Sequence, residues 1–255
     1  MTVIHLLGRI KTFLRNTYSE LVCPQTCAIC GEASKQGISI CKNCIQNFLR
    51  KNMNLIISEP EQFCQICGQR LISETKICRQ CKDRINSEEE RYYDKVYTLF
   101  PYLGDGHKLV SEWKSVGLRG YSQLFAMLAV EFISMAPELQ NTVIIPVPAR
   151  PKKIRQKGWD QIDDLANSLK MFPEVKICKW LKRYDSLPQK SVSQSLRKSN
   201  LEGKFYVPKK NAGKIPERAV LIDDVRTTGS TISECAKTLK QHNCKTVYGL
   251  CLFSD

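Results

Sequence analysis

The sequence predicts an α/β domain with a parallel sheet, preceded by a small cysteine-rich module, and three observations lead there. First, an apolar run from Ala219 to Ile222 is followed by apolar residues at helical spacing (Ile232, Cys235, Ala236, Leu239) and then by a second apolar run, Val247 to Phe253. That succession is a βαβ unit, and βαβ units build parallel sheets. Second, strand-like runs at Lys95 to Tyr102 and Val143 to Ile145 flank another helix-period segment. Third, eight cysteines fall into two equally spaced sets of four near the amino terminus. A chain of 255 residues, 42% of them hydrophobic, has room for one sizeable core and one small module.

Residues 1–25 open the chain with Ile4, Leu6, Leu7, Ile10, Phe13 and Leu14 interleaved with Arg9, Lys11 and Arg15. No uninterrupted apolar stretch forms a signal-peptide core or a membrane span. The pattern suits a basic amphipathic helix, packed on its own protein or a partner or lying on a membrane surface.

Residues 26–85 form the cysteine module. Cys27, Cys30, Cys41 and Cys44 are repeated 37 residues on as Cys64, Cys67, Cys78 and Cys81, and Ile-Cys-Gly recurs at 29–31 and 66–68. The segment is therefore an internal duplication. A Cys-x2-Cys turn aims two sulfurs at one point, and two such turns supply the tetrahedral four-sulfur set of structural Zn²⁺. Four matched pairs do not suit a redox dithiol. Disulfides would need an oxidising compartment, which the missing signal sequence argues against. The spacing leaves open whether each repeat closes its own site or the pairs interleave. Cys23, Cys178, Cys235, Cys244 and Cys251 have no partner spacing and read as small buried hydrophobes or free thiols.

The acidic run from Asn86 to Glu90 marks a boundary, and residues 90–255 form the α/β domain. After the first strand comes Lys114, either a solvated lysine or a cation reaching a phosphate. Tyr121, Leu124, Phe125, Leu128, Phe132 and Ile133 define a helix that stops before Pro137. The strand at Val143 to Ile145 is ended by Pro146 and Pro148, after which Arg150, Lys152, Lys153, Arg155 and Lys157 crowd eight positions of an expected basic loop. Ile162, Leu165, Ala166 and Leu169 then mark a further helix. Crowded like charge is unfavourable unless a polyanion meets it.

The formal net charge is +14, and between Arg150 and Ile215 seventeen Lys/Arg face six Asp/Glu, so this quarter carries most of the excess. Trp159, Trp180, Tyr184 and Tyr206 are interleaved with it. Cations with stacking rings compose a groove for single-stranded nucleic acid; a pyrophosphate site beside core aromatics reads equally well from the same residues.

The stretch that organises the domain is Asp223, Asp224, Val225, Arg226, Thr227, Thr228, Gly229, Ser230 and Thr231. It lies at the carboxyl end of a strand, where ligands of open parallel sheets gather. Free amides at a helix start, hydroxyls and a glycine that lets backbone approach favour a phosphate. The two acids suit ligand hydroxyls or a divalent cation. Thr231 and Glu234 also match a capping box, which needs no ligand.

This stretch resembles the phosphoribosyl pyrophosphate (PRPP) signature of type I phosphoribosyltransferases, and it lacks the pattern of a Walker A or dinucleotide loop. The resemblance implies a type I phosphoribosyltransferase fold, Asp223 and Asp224 as the catalytic acids holding the ribose hydroxyls, and a loop from Arg226 to Thr231 on the 5′-phosphate. Arg150, Lys153, Arg155 and Lys114 are the expected pyrophosphate cations, with PRPP and Mg²⁺ as the bound species. Pro146-Val147-Pro148, the basic stretch, Gly158-Trp159-Asp160-Gln161 and the block running from Arg183 through Gln189 and Arg197 to Phe205 resemble the ComF family of competence proteins. The cysteine pairs belong to the same pattern. Lys157, Trp159, Asp160 and Ser186 stand where Arg, Phe, Asn and Thr are usual.

The resemblance implies handling of incoming single-stranded DNA on the cytoplasmic side of the uptake machinery, at the inner face of the membrane or beside other DNA-uptake proteins. Lys152, Lys153, Arg155, Lys157, Trp159, Arg183, Arg197 and Lys198 are the expected nucleic-acid contacts. An active transferase passing ribose 5-phosphate to an acceptor is the rival expectation.

Overall fold

The computed structural model describes residues 27, 30–32, 41, 43–44, 46–47, 59–102, 104–185 and 203–255. The expected helix over residues 1–25, Cys23, and the block containing Arg197 and Lys198 lie outside them.

Five parallel strands form the main sheet: β1 (Lys95–Pro101), β2 (Val143–Pro146), β3 (Lys176–Ile177), β6 (Arg218–Arg226) and β7 (Thr246–Ser254), in the order β1-β7-β6-β2-β3. A separate antiparallel pair joins β4 (Lys182–Arg183) to β5 (Phe205–Tyr206). The helices are α1 (Arg79–Asn86), α2 (Asp105–Ser111, continued by a π turn over Glu112–Val116), α3 (Gly120–Met135), α4 (Pro151–Lys157), α5 (Gln161–Leu169) and α6 (Ser230–Lys240).

Alternation along the strands sorts the core into two layers. Val220, Ile222, Leu250 and Leu252 pack with Trp113 and the inner faces of α3 and α5. Ala219, Leu221, Val247 and Cys251 pack with Ile232, Cys235, Ala236 and Leu239 of α6 and with Leu181 and Phe205 beside the hairpin. Both faces of the sheet are covered, as parallel strands require, and this explains their near-continuous apolar runs. Each large core side chain contributes roughly 1.5–3 kcal/mol.

The two halves of the sheet wind in opposite directions. From β2 the chain crosses by α5 on one face to β3; from β6 it crosses by α6 on the other face to β7. A crevice therefore opens where β2 and β6 part. Pairing of β2 with β6 ends at Pro146 opposite Ile222, whereas β6 stays paired to β7 as far as Arg226 opposite Ser254. Residues 223–226 thus border the crevice along one edge.

The basic stretch expected as a loop is instead α4. Pro151 occupies its first turn, where a missing N–H is harmless, and Gly158 ends it with φ 77. The expected capping box is also corrected: α6 starts one residue after Gly229, which has φ 79 and supplies no side-chain cap. Thr231 falls inside the first turn, and Glu234 accepts a bond from the Gly203 amide at 2.8 Å.

Candidate functional site

At the crevice each acid of the pair has its own surroundings. Asp224 Oδ2 meets Lys114 Nζ at 2.7 Å and accepts a hydrogen bond from Gln161 Nε2 at 2.7 Å. Lys114 arrives on the π turn after α2, and Gln161 is the first residue of α5. Asp223 lies towards the other face, within the electrostatic reach of Arg183 and Cys235, and its Oδ1 accepts from the Asp224 amide at 2.9 Å. Burial and the adjacent Asp224 charge push the Asp223 carboxyl up to about 8. A carboxyl in that range is protonated or ionised according to what occupies the crevice.

The turn after β6 is a small polar cradle. Thr227 and Thr228 are exposed, Thr228 Oγ1 lies 2.8 Å from Ser230 Oγ, and the Ser230 amide donates to Thr228 Oγ1 at 3.3 Å. With no side chain capping α6, first-turn amides and the positive end of its dipole face the same turn.

Cations gather at the crevice mouth. Lys157 is engaged internally, donating to the Lys114 carbonyl and lying 4.1 Å from the Trp159 ring centroid. Burial first, then Lys153 and Lys114, lower its pKa. Lys152, Lys153 and Arg155 of α4 are exposed; Arg155 pairs with Asp185 at 2.6 Å, and the Lys152 amide donates to Asp185 at 2.8 Å. Arg150, the N-cap of α4, and Arg183 act on each other, and burial is the larger cause of the lowered Arg183 pKa. The guanidinium of Arg183 sits 5.0 Å over the Phe205 ring.

The expected sites are therefore redistributed. Lys114 is brought onto an acid, and Lys157 and Trp159 are packed with each other. Arg183 feels the Asp223 charge, and Asp160 caps α5 by accepting from the Ile162 and Asp163 amides at 3.0 Å each. Arg226 is 2% exposed and donates from Nη2 to Gln80 Oε1 at 3.3 Å. Gln161 was not among the expected site residues; it closes the Gly-Trp-Asp-Gln run, and its 4% exposure with Oε1 unbonded among the described residues marks a polar group held in place at the crevice.

The cysteines assemble by repeat. Cys27, Cys30, Cys41 and Cys44 form one group, and Cys64, Cys67, Cys78 and Cys81 another, with the ligand sulfurs of each within 4.8 Å of one another. Each repeat closes its own site, which settles the question the spacing left open. The two turns share one hydrogen-bond pattern: Cys27 N to Glu32 O and Gly31 N to Cys27 O in the first, Cys64 N to Gln69 O and Gly68 N to Cys64 O in the second. Sulfur separations of 3.7 Å (Cys30 to Cys41) and 3.6 Å (Cys67 to Cys78) approach the edge of about 3.8 Å that four sulfurs adopt around zinc. The donor sets fit Zn²⁺, which would cross-link each repeat as a closed structural centre. The second repeat is fastened to the sheet through a bond from the Val96 amide to the Ile66 carbonyl, and a Cβ on Gly68 would stand 2.6 Å from the Val96 oxygen.

Among the described residues no helix is long and apolar enough to cross a membrane. No family model matches the chain. It is 26% identical to Competence protein F of Haemophilus influenzae over 187 residues, which span 70% of this chain and 79% of that protein. It is 23% identical to Competence protein ComFC of Streptococcus pneumoniae over 236 residues, 87% of this chain and 96% of that one. It is likewise 23% identical to DNA utilization protein YhgH of Salmonella typhimurium over 235 residues, 89% and 88% of the two chains.

Proposed function

We propose, from the membership of the ComF/ComFC family that these relatives support, that this protein serves natural transformation by handling incoming single-stranded DNA on the cytoplasmic side, and that its crevice takes a phosphorylated ribose such as PRPP. The observation that carries the pocket is the meeting of Lys114 and Gln161 on Asp224 beside the uncapped start of α6. A ribose hydroxyl can take the place of the lysine on that carboxylate, which frees the cation for the ligand's phosphates. The exposed cations of α4 and the half-exposed Tyr184, stacked on Tyr206 at 4.3 Å, offer a strand its charge and a ring. Residues 26–85 act in this reading as a metal-folded module apart from a ligand-binding domain over residues 90–255.

Two titrations test the proposal. Calorimetry should show PRPP with Mg²⁺ binding to the wild type and about tenfold more weakly, or not at all, to Asp224→Ala. Affinity for a labelled single strand should fall steeply with salt, and replacing Lys152 and Lys153 together by Ala should flatten the log–log slope by about one to two. A pocket indifferent to ribose phosphates, together with salt-insensitive strand binding, removes the reading. The gathering of Lys114, Lys153 and Lys157 at the crevice also favours a second reading, a transferase whose cations receive departing pyrophosphate. Pyrophosphate release from PRPP on addition of an acceptor amine or base decides for it, and its absence against it.

A further inference from the structure

Arg226 is a buried cation with most of its donors idle. It is 2% exposed, and Nε and Nη1 have no hydrogen-bond partner among the described residues. Of its side-chain nitrogens only Nη2 is engaged among the described residues, on Gln80 Oε1 at 3.3 Å. Gln80 stands in α1 between Cys78 and Cys81, so the side-chain bond of Arg226 leads into the second cysteine set. The guanidinium field reaches Cys67, which is fully buried, and Tyr93, which is 2% exposed. On its other side a Cβ at Gly229 would stand 3.7 Å from Arg226 Nε and 3.3 Å from the Tyr93 hydroxyl. Arg226 thus lies between the cysteine cluster and the turn that follows β6.

A lone guanidinium in such a place is strongly unfavourable unless an opposite charge faces it. Four thiolates on a divalent ion leave two negative charges in excess, and partners around a metal centre commonly orient and balance its ligands. We propose that Arg226 is the buried counter-charge of a metal centre built by Cys64, Cys67, Cys78 and Cys81, and that this charge pair, acting through Tyr93 and Gly229, holds the turn of residues 227–231 in place. The inference depends on the metal and stands whether or not the turn binds a phosphate. Sequence order conceals the link, because Arg226 and Cys81 are far apart in the chain and Arg226 sits within a motif that reads as a phosphate loop.

The test uses the full-length chain with Cys27→Ser and Cys30→Ser, so that the tetrathiolate zinc remaining is that of the second set. Competition with a chromophoric chelator should show Arg226→Met holding this zinc about ten- to a hundredfold more weakly, with Arg226→Lys recovering most of the difference. Equal zinc affinity in all three proteins overturns the proposal. Because Arg226→Met removes a buried group, hydrogen exchange on the wild-type chain provides an independent reading. Stripping zinc should speed exchange at the amides of residues 227–231 about tenfold while β7 stays protected. Unchanged exchange in the turn overturns the coupling, and so does equal loss of protection across β7, which would mean that the metal holds the whole fold.

Discussion

Asp223 carries a pH dependence with a definite sign. Its carboxyl is raised to about 8 by burial and by Asp224, so between the ordinary carboxylate range and pH 8 the folded chain holds a proton that the unfolded chain has lost. Stability from this group is present at low pH and is lost as pH rises through about 8. Asp223→Asn keeps the shape without the ionisation, so melting curves should show the variant gaining on the wild type from pH 5 to pH 9. A constant difference across that range would show that Asp223 ionises normally. At this scale the sequence made the acid pair legible, because two adjacent carboxylates ahead of a hydroxyl-rich turn are unusual at a strand end. It did not reveal that Lys114 and Gln161 meet on Asp224, since those contacts join segments tens of residues apart.

Elements place these residues, and here the turn between β6 and α6 is the most constrained. Gly229 has φ 79, and a Cβ there would press on Tyr93. Gly229→Ala should therefore cost about 1–2 kcal/mol, a fall in melting temperature of about 2–8 °C, and should weaken any anion bound at the start of α6. An alanine variant that melts with the wild type would show that the turn relaxes freely. Strands and long helices were readable from periodicity: the βαβ unit and the helix from Tyr121 to Ile133 match β6-α6-β7 and α3. The capping box was misleading because Thr231 and Glu234 satisfy a local pattern, whereas Gly229 ends the preceding turn two residues earlier and Glu234 is drawn to the Gly203 amide. The basic loop became α4 because Pro151 and Gly158 are good helix ends, a signal outweighed in the sequence by the crowding of charge between them.

At the level of the whole molecule, the duplicated cysteines gave the clearest sequence signal, and the matching turn hydrogen bonds of the two repeats show why: each repeat is one self-contained ligand set. What the spacing could not show was where the second repeat would dock. It covers β1, one of the two outer strands of the sheet, through the Val96 to Ile66 bond and the close approach of Gly68. An uncovered outer strand presents free amides and carbonyls to any other chain. Treatment with a strong chelator should therefore raise light scattering in proportion to protein concentration, and excess zinc should prevent it; a clear, monomeric solution of stripped protein would contradict this. Under metal starvation the protein would then be lost to clumping before its crevice failed, so the supply of one trace element would set how much of it stays dispersed.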